Sequence, residues 1–220
     1  MAIQHDLDNL LYEFRAKIIL EEYFNNIYTK GLYKSEKPDL ISNDNSVGVE
    51  ETKSFYKEFE ELRGINKKTQ GKCVSENLRN YNRIEQLTKT IHGKPIVKDN
   101  VYYGFFGAVW ITIDHILQSF IDKLNLLPTY TLLENYDLYI TSQNLNEYDI
   151  DEILVIKDKM LEIQNNYIKN FRFVYLFDRP NIYQFDLNAN TVNKRKITKE
   201  KLLEIDIKAK EESIKYLKNK

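Results

Sequence analysis

Residues 37–53, with the sequence KPDLISNDNSVGVEETK, decide the fold of this chain. Apolar residues on both sides of the polar stretch 42–46 predict two short strands joined by a turn. The second strand carries Glu50, Glu51 and Lys53, and Asp39 stands at the start of the first. Carboxylate oxygens are the ligands that Mg²⁺ prefers, and a nearby ammonium group stabilises phosphate charge. The hairpin is therefore the candidate site of metal-assisted chemistry in this sequence.

The spacing of these residues resembles the active-site signature of the PD-(D/E)XK nuclease superfamily. Asp39 follows a proline, and a Glu-x-Lys set, Glu51 to Lys53, comes 12 residues later. The resemblance implies an endonuclease of restriction or defence type that depends on Mg²⁺ or Mn²⁺. Asp39 and a glutamate would hold the metal, and Lys53 would assist the attacking water. The likeness is closest over residues 10–55 and concerns only the order of elements over 104–187.

Strand alternation leaves the metal-binding glutamate open, because residues two apart on a strand share a face. Glu51 and Lys53 share a face with two valines of the strand, and Glu50 lies on the other. If the valines face the core, Glu50 faces the metal and a threonine stands in the place of the lysine. A bulge at Gly48 would restore Glu51 and Lys53 to the site. Both glutamates therefore remain candidate ligands.

The first helix offers a further carboxylate. Apolar residues at helical spacing predict a helix over 7–29 that ends at Gly31. In the resembled superfamily a glutamate of the first helix often reaches the metal. Glu22 is the candidate for this role, and Glu21 and Glu13 are the alternatives.

The composition is that of a folded protein, with 42% hydrophobic and 13% aromatic residues in 220. This length predicts one domain, 1–220. The single cysteine, Cys73, cannot form an internal disulfide, which favours a reducing, cytoplasmic location. We expect no membrane association, because no apolar run reaches the length of a membrane span and the first residues lack a signal-peptide pattern.

Charge is unevenly distributed although the net charge is only −1. Segments 1–62 and 99–193 carry −6 and −7, whereas 63–98 and 194–220 carry +7 and +5. Phosphate contacts need local positive charge, so we expect a nucleic acid, DNA in the first instance, to bind a basic helical insertion at 64–100. A solvated helix pair is the alternative for this segment. The candidate phosphate contacts are Lys67, Lys68, Lys72, Arg79 and Arg83.

The remaining patterns predict a mixed sheet between helices. The expected fold is α/β (mixed α+β), with a restriction-endonuclease-like central mixed sheet flanked by helices. A C-terminal hairpin and a charged C-terminal helix, 199–220, add to this core. The predicted elements are helices at 54–63, 104–127, 149–166 and 199–218, strands at 136–140 and 171–177, and a hairpin at 182–187 and 192–197. The last helix would be capped by Thr198 and would have a solvated charged surface.

Two functions follow as hypotheses. The first is a metal-dependent nuclease that hydrolyses phosphodiester bonds of DNA. It would act as a homodimer, because cutting both strands of a duplex needs two active sites. The second is a non-catalytic protein of the same fold that binds a nucleic acid or a protein partner.

Overall fold

The computed structural model describes residues 2–54, 57–90, 93–106, 112–130, 132–142 and 147–219. Two compact units are present, one formed by Met1–Ser54 with Ile116–Lys220 and one by Phe55–His115. In chain order the helices and strands are α1 (Ala2–Tyr23), β1 (Leu32–Lys34), β2 (Leu40–Ser42), β3 (Val47–Ser54), α2 (Lys57–Thr69), α3 (Leu78–Thr90), β4 (Lys94–Lys98), β5 (Val101–Phe106), α4 (Ile113–Leu126), β6 (Asn135–Ser142), α5 (Ile150–Gln164), β7 (Phe173–Asp178), β8 (Asn181–Asp186), β9 (Thr191–Lys196) and α6 (Lys199–Lys218).

The larger unit is built on a seven-stranded sheet with the order β1-β2-β3-β6-β7-β8-β9. Strands β1 to β3 form an antiparallel meander, β3, β6 and β7 run parallel, and β8 and β9 return antiparallel. This mixed sheet with helices between its parallel strands confirms the expected α/β class. The strands predicted at 136–140 and 171–177 and the C-terminal hairpin are also present.

Helices cover both faces of the sheet. On one face α1 and α6 pack together against the strands. Helices α4 and α5 connect parallel strands that advance in the same direction, so right-handed crossovers place both on the opposite face. The buried apolar residues under α1 and α6 include Leu10, Phe14 and Ile19 of α1, Ile205 and Ala209 of α6, and Val49, Tyr139 and Tyr175 of the sheet.

Three predicted helices differ from the structure, and the one predicted at 54–63 runs over Lys57–Thr69 instead. The first helix ends at Tyr23 rather than at residue 29, and turns follow up to Gly31. The single helix predicted over 104–127 is wrong, because the chain is a strand up to Phe106 and α4 begins only at Ile113. Gly104 has φ +148°, a conformation that belongs to glycine and not to a helix. Residues 107–111, which the prediction also covered, lie outside the described ranges.

The C-terminal helix keeps its predicted bounds and its cap, since the side chain of Thr198 accepts a hydrogen bond from the backbone N–H of Lys201. Most of its charged residues are exposed, as predicted. Leu202, Ile205 and Ala209 are buried on the side that meets α1. The charged residues form the outer face of an amphipathic helix. Because they outnumber the apolar residues, the net charge of the segment does not reveal the buried apolar stripe.

The Phe55–His115 unit has a small core of its own. Helices α2 and α3 and the hairpin β4–β5 surround Leu62, Ile84, Leu87 and Tyr102. The segment 64–100, predicted as helical, therefore also contains β4 and continues into β5. Within the described ranges of the whole chain, no helix is long and apolar enough to cross a membrane.

Candidate active site

Pairing of β2 with β3 brings Asp39 to the acidic end of the hairpin. The register places Leu40 opposite Val49, so Asp39 lies next to the stretch that contains Glu50 and Glu51. Asp39 Oδ2 accepts a hydrogen bond of 2.8 Å from the backbone N–H of Glu51. The carboxylate of Asp39 is thus held at β3 by the backbone itself.

Glu51 and Lys53 lie on the face of the sheet that α1 covers. The Thr141 hydroxyl donates to Glu51 Oε1 over 3.2 Å, and Thr141 is the residue opposite Lys53 on β6. Lys53 Nζ donates to Asn9 Oδ1 at 3.0 Å and stands 3.9 Å from the centre of the Tyr12 ring. Two residues of α1 therefore hold the amino group of Lys53.

Glu50 points to the opposite face. Its Oε1 accepts a short hydrogen bond from Lys123 Nζ of α4. Burial, with Glu50 nearby, raises the pKa of the Tyr130 phenol. Because helices cover both faces of β3, the valines do not decide which glutamate faces the site. Glu51 and Lys53 lie on the same face as the valines, as strand alternation predicts, and β3 pairs with β2 and β6 without a bulge at Gly48.

Among the three glutamates considered on α1, Glu13 is the one beside Asp39. Its Oε2 is 3.2 Å from Lys34 Nζ, and the same ammonium is 3.9 Å from Asp39 Oδ1. Glu13 is also one turn from Asn9, so the α1 residues at the site share a face.

Glu22 and Glu21 make contacts elsewhere. The carboxylate of Glu22 pairs with Lys201 and Lys208 of α6, at 2.8 and 3.6 Å. Glu21 Oε1 accepts from the backbone N–H of Leu32 at 2.7 Å and so anchors β1. The structure does not bring either residue together with Asp39.

The carboxylates of the cluster resist ionisation. Burial, together with the nearby charges of Glu50 and Glu13, raises the pKa of Asp39 to about 7. Burial also raises the pKa of Glu51 to about 8, against the opposing effect of Lys53. The pKa of Glu13 is raised in the same way. A site in which several carboxylates are crowded and desolvated is one that favours an added cation.

The donor atoms fit Mg²⁺ or Mn²⁺, since carboxylate oxygens are the ligands these ions take. Asp39, Glu51 and Glu13 could supply them. Over the described ranges, however, no three His, Cys, Asp or Glu side chains are grouped so as to hold a metal ion. Lys34 lies between Glu13 and Asp39. Metal binding by this set therefore requires the ammonium group of Lys34 to move aside.

The predicted phosphate contacts all belong to the Phe55–His115 unit. Lys67, Lys68 and Lys72 are exposed. Arg83 makes two hydrogen bonds, of 2.7 and 2.6 Å, to the carboxylate of Glu61. Arg79 and Arg83 line an open groove of about 550 Å³. Its lining is completed by Glu61, Ile65, Asn80, Asn82 and Gln86.

Comparison with models of known protein families, with curated proteins and with solved structures found no match. The assignment of a function therefore depends on the chemistry of the cluster and on the resemblance in the sequence.

Sequence reasoning missed two lysines that shape the site. Lys34 belongs to the three-residue strand β1, and its only local signal is its position shortly before Pro38 and Asp39. Lys123 lies on the polar side of α4, 73 residues from the Glu50 that it contacts. Nothing in the local sequence indicates that second contact.

Proposed function

We propose that this protein is a divalent-metal-dependent nuclease of restriction or defence type that hydrolyses phosphodiester bonds of DNA. The observation that carries the proposal is the hydrogen bond from the Glu51 backbone to the Asp39 carboxylate. This bond brings Asp39, the first part of the signature, to the strand that carries the Glu-x-Lys set. Glu51 and Lys53 lie on one face of that strand, beside α1. Glu51 is thereby favoured over Glu50 as the ligand, because Glu50 is engaged by Lys123 on the other face.

Asp39, Glu51 and Glu13 would bind the ion through their carboxylate oxygens. A bound Mg²⁺ or Mn²⁺ supplies positive charge for the phosphate and lowers the pKa of a water molecule. Lys53, oriented by Asn9 and Tyr12, would place its ammonium group against the developing negative charge of the phosphate.

The order of elements supports the same proposal. Helix α1, the antiparallel meander β1 to β3, the crossover helix α4 and the parallel strand β6 follow the order that the resembled superfamily uses. Fold-level likeness alone does not establish an activity, so the proposal depends on the side chains of the site.

The remaining parts of the proposal concern partners and place. The Phe55–His115 unit would contact the phosphates of DNA through Lys67, Lys68, Lys72 and the two arginines of its groove. Cleavage of both strands would use a homodimer. The single cysteine, Cys73, is suited to the reducing conditions of the cytoplasm.

A non-catalytic nuclease-fold protein that binds a nucleic acid or a protein is the second candidate. It is favoured by the lysines of the cluster, because Lys34 and Lys123 already neutralise part of the carboxylate charge. In such a protein the cluster would be structural, and the basic unit would carry the binding.

Cleavage assays separate the two candidates. Supercoiled plasmid and single-stranded DNA are incubated with the protein in Mg²⁺, in Mn²⁺ and in EDTA, and binding is measured in EDTA. The nuclease proposal expects cutting in either metal and none in EDTA. Salt-sensitive binding without cutting under any condition would favour the non-catalytic protein.

A further inference from the structure

Within the part of the chain that the structure describes, one face of the hairpin β4–β5 is exposed. On its inner side Tyr102 is fully buried in the small core, with Phe105 packed against it. On the outer side Phe106 is 70% exposed, Tyr103 51% and Ile96 48%. Exposing two aromatic rings to water is unfavourable, and clustered exposed apolar side chains of this kind mark interaction sites.

A bulge places both rings outside. Ile96 pairs with Gly104 but the next residue, Val97, pairs with Tyr102, which leaves Tyr103 as the extra residue of β5. In a regular strand, residues three apart point to opposite faces, so Tyr103 and Phe106 would be separated. The bulge shifts the alternation at Gly104, whose φ of +148° suits glycine. Bulges of this kind re-aim side chains.

Three lysines lie on the hairpin or along its edge. Lys94 is the partner of Phe106 in the ladder, and Lys98 is the partner of Val101 at the other end. Lys72 lies along the free edge of β5, since its backbone carbonyl accepts from the N–H of Tyr102 at 3.0 Å. All three lysines are exposed. Between residues 93 and 106 the sequence has one acid, Asp99, at the turn.

We infer that this hairpin is a stacking platform for single-stranded nucleic acid. Unpaired bases would stack on Phe106 and Tyr103, and the lysines would contact the phosphates. Proteins that bind single strands combine these two features, because every base has a face that can stack on an aromatic ring. A protein partner fits less well, because lysine is depleted from protein–protein interfaces.

The inference extends the proposed nuclease function by naming its substrate as DNA with single-stranded regions. Only this assignment of the substrate rests on the nuclease proposal. Binding by the hairpin needs neither a metal nor Asp39. A duplex keeps its bases stacked on one another, so it offers the exposed rings only its backbone.

The test is fluorescence anisotropy with the full chain in EDTA, which prevents metal-dependent cutting. The probes are a fluorescein-labelled oligo-dT of about 20 nucleotides, longer than one typical single-strand site, and a duplex of the same length. Phe106→Ala should weaken binding of the single strand about tenfold, the scale of losing one base–aromatic stack. Phe106→Trp should bind as wild type does. Ile96→Ala, a matched apolar change on the same face, should change binding less than about twofold, well below that scale.

The contribution of the lysines is measured by the salt dependence of binding. Lys94→Gln should reduce the slope of log K against log salt for the single strand by about 0.7, the value for one phosphate contact. The Phe106→Ala variant should keep the wild-type slope while losing affinity.

Four results would overturn the inference. Unchanged single-strand binding in Phe106→Ala, or no binding by the wild type, would exclude stacking. An equal loss in Ile96→Ala and Phe106→Ala would indicate an apolar docking surface instead. Binding to phosphatidylserine vesicles that Phe106→Ala abolishes, with oligonucleotide binding unchanged, would assign the face to a membrane. Absence of cleavage in Mg²⁺ would contradict the nuclease proposal alone, because the binding measurements in EDTA do not depend on cleavage.

Discussion

Asp39 Oδ2 accepts a 2.8 Å hydrogen bond from the backbone N–H of Glu51. A side chain here takes the place of a backbone acceptor at the point where the β2–β3 ladder stops. The bond fixes one carboxylate against the strand that carries the next, and burial then raises the pKa of both groups. The contact therefore fixes the geometry of the cluster, whereas burial and the neighbouring carboxylates raise the pKa of Asp39 against the opposing effect of this hydrogen bond.

The two glutamates of β3 should differ in function. Glu51→Gln removes a proposed ligand and should lower the cleavage rate about 100-fold or more, the scale of losing one electrostatic partner of a transition state. Glu50→Gln changes the face covered by α4 and should keep the rate within about fivefold, well below that scale. Single-turnover cleavage of a labelled oligonucleotide measures both. The reverse order would assign the metal to Glu50.

Two glutamates of α1 provide a matched pair. Glu13→Gln should lower cleavage and raise the Mg²⁺ concentration needed for half-maximal rate, because Glu13 lies with Asp39 around Lys34. Glu22→Gln should leave both values unchanged, because its carboxylate is paired with lysines of α6. A metal titration of the rate distinguishes them. An effect of Glu22→Gln as large as that of Glu13→Gln would contradict a metal site that includes Glu13 and excludes Glu22.

Stability should fall as the pH rises. The pKa of Asp39 goes from an ordinary 3.8 to about 7 on folding, and that of Glu51 from 4.5 to about 8. Between these values the folded state binds more protons than the unfolded state, so the free energy of unfolding decreases with pH. The stabilising contribution is complete below pH 3.8 and is lost as the pH passes the folded-state pKa values. Melting temperatures measured from about pH 5 to about pH 8.5 should therefore decline in the wild type.

Variants and Mg²⁺ isolate this effect from that of other groups. The decline should be shallower in Asp39→Asn and in Glu51→Gln, which cannot ionise. Mg²⁺ should raise the melting temperature more at about pH 8 than at about pH 5.5, because protons compete for the carboxylates. An identical pH slope in the wild type and both variants would show that these carboxylates are not the titrating groups.

The contact between Lys123 and Glu50 should matter for stability rather than for catalysis. The Glu50 side chain is 9% exposed, so Lys123→Met leaves a buried charge without its partner and should cost about 3 kcal/mol in urea unfolding. Adding Glu50→Gln to that variant should recover much of the loss. Lys201→Met, which breaks a solvent-accessible pair with Glu22, serves as the control and should change the free energy of unfolding little. Equal losses in the two lysine variants would contradict the buried ion pair.

The sequence predicts the C-terminal half of the fold well, because its signals are local. Strand β7 is a continuous apolar run, Asp149 caps α5 with a capping box, and Thr198 caps α6. The helix prediction around β5 is wrong because it also depended on local signals alone. Apolar residues at helical spacing continue across Gly104, and only the three-dimensional context of the Phe55–His115 core makes that stretch a strand.

The site is predictable in part. Spacing predicts that Asp39 lies beside the strand of Glu51 and Lys53, and the hydrogen bond from the Glu51 N–H to Asp39 agrees with this placement. Strand alternation correctly separates Glu50 from Glu51. The sequence does not predict which glutamate of α1 lies beside Asp39. Helical periodicity indicates which residues share a face, but not which turn of the helix meets the edge of the sheet. Lys34 and Lys123 are missed because their contacts to carboxylates are made across the fold.

The most direct test of the nuclease proposal is metal-dependent cleavage by Asp39→Asn beside the wild type. This change keeps the size of the side chain and an oxygen that can accept from the Glu51 N–H, and it removes the charge. Circular dichroism and the melting curve establish that the variant is folded. Both proteins are then incubated with plasmid and single-stranded DNA in Mg²⁺ and in Mn²⁺. We predict cutting by the wild type in metal and none by folded Asp39→Asn, with Glu22→Gln active. Equal cutting by Asp39→Asn, or no cutting by the wild type on either substrate, would contradict the proposal.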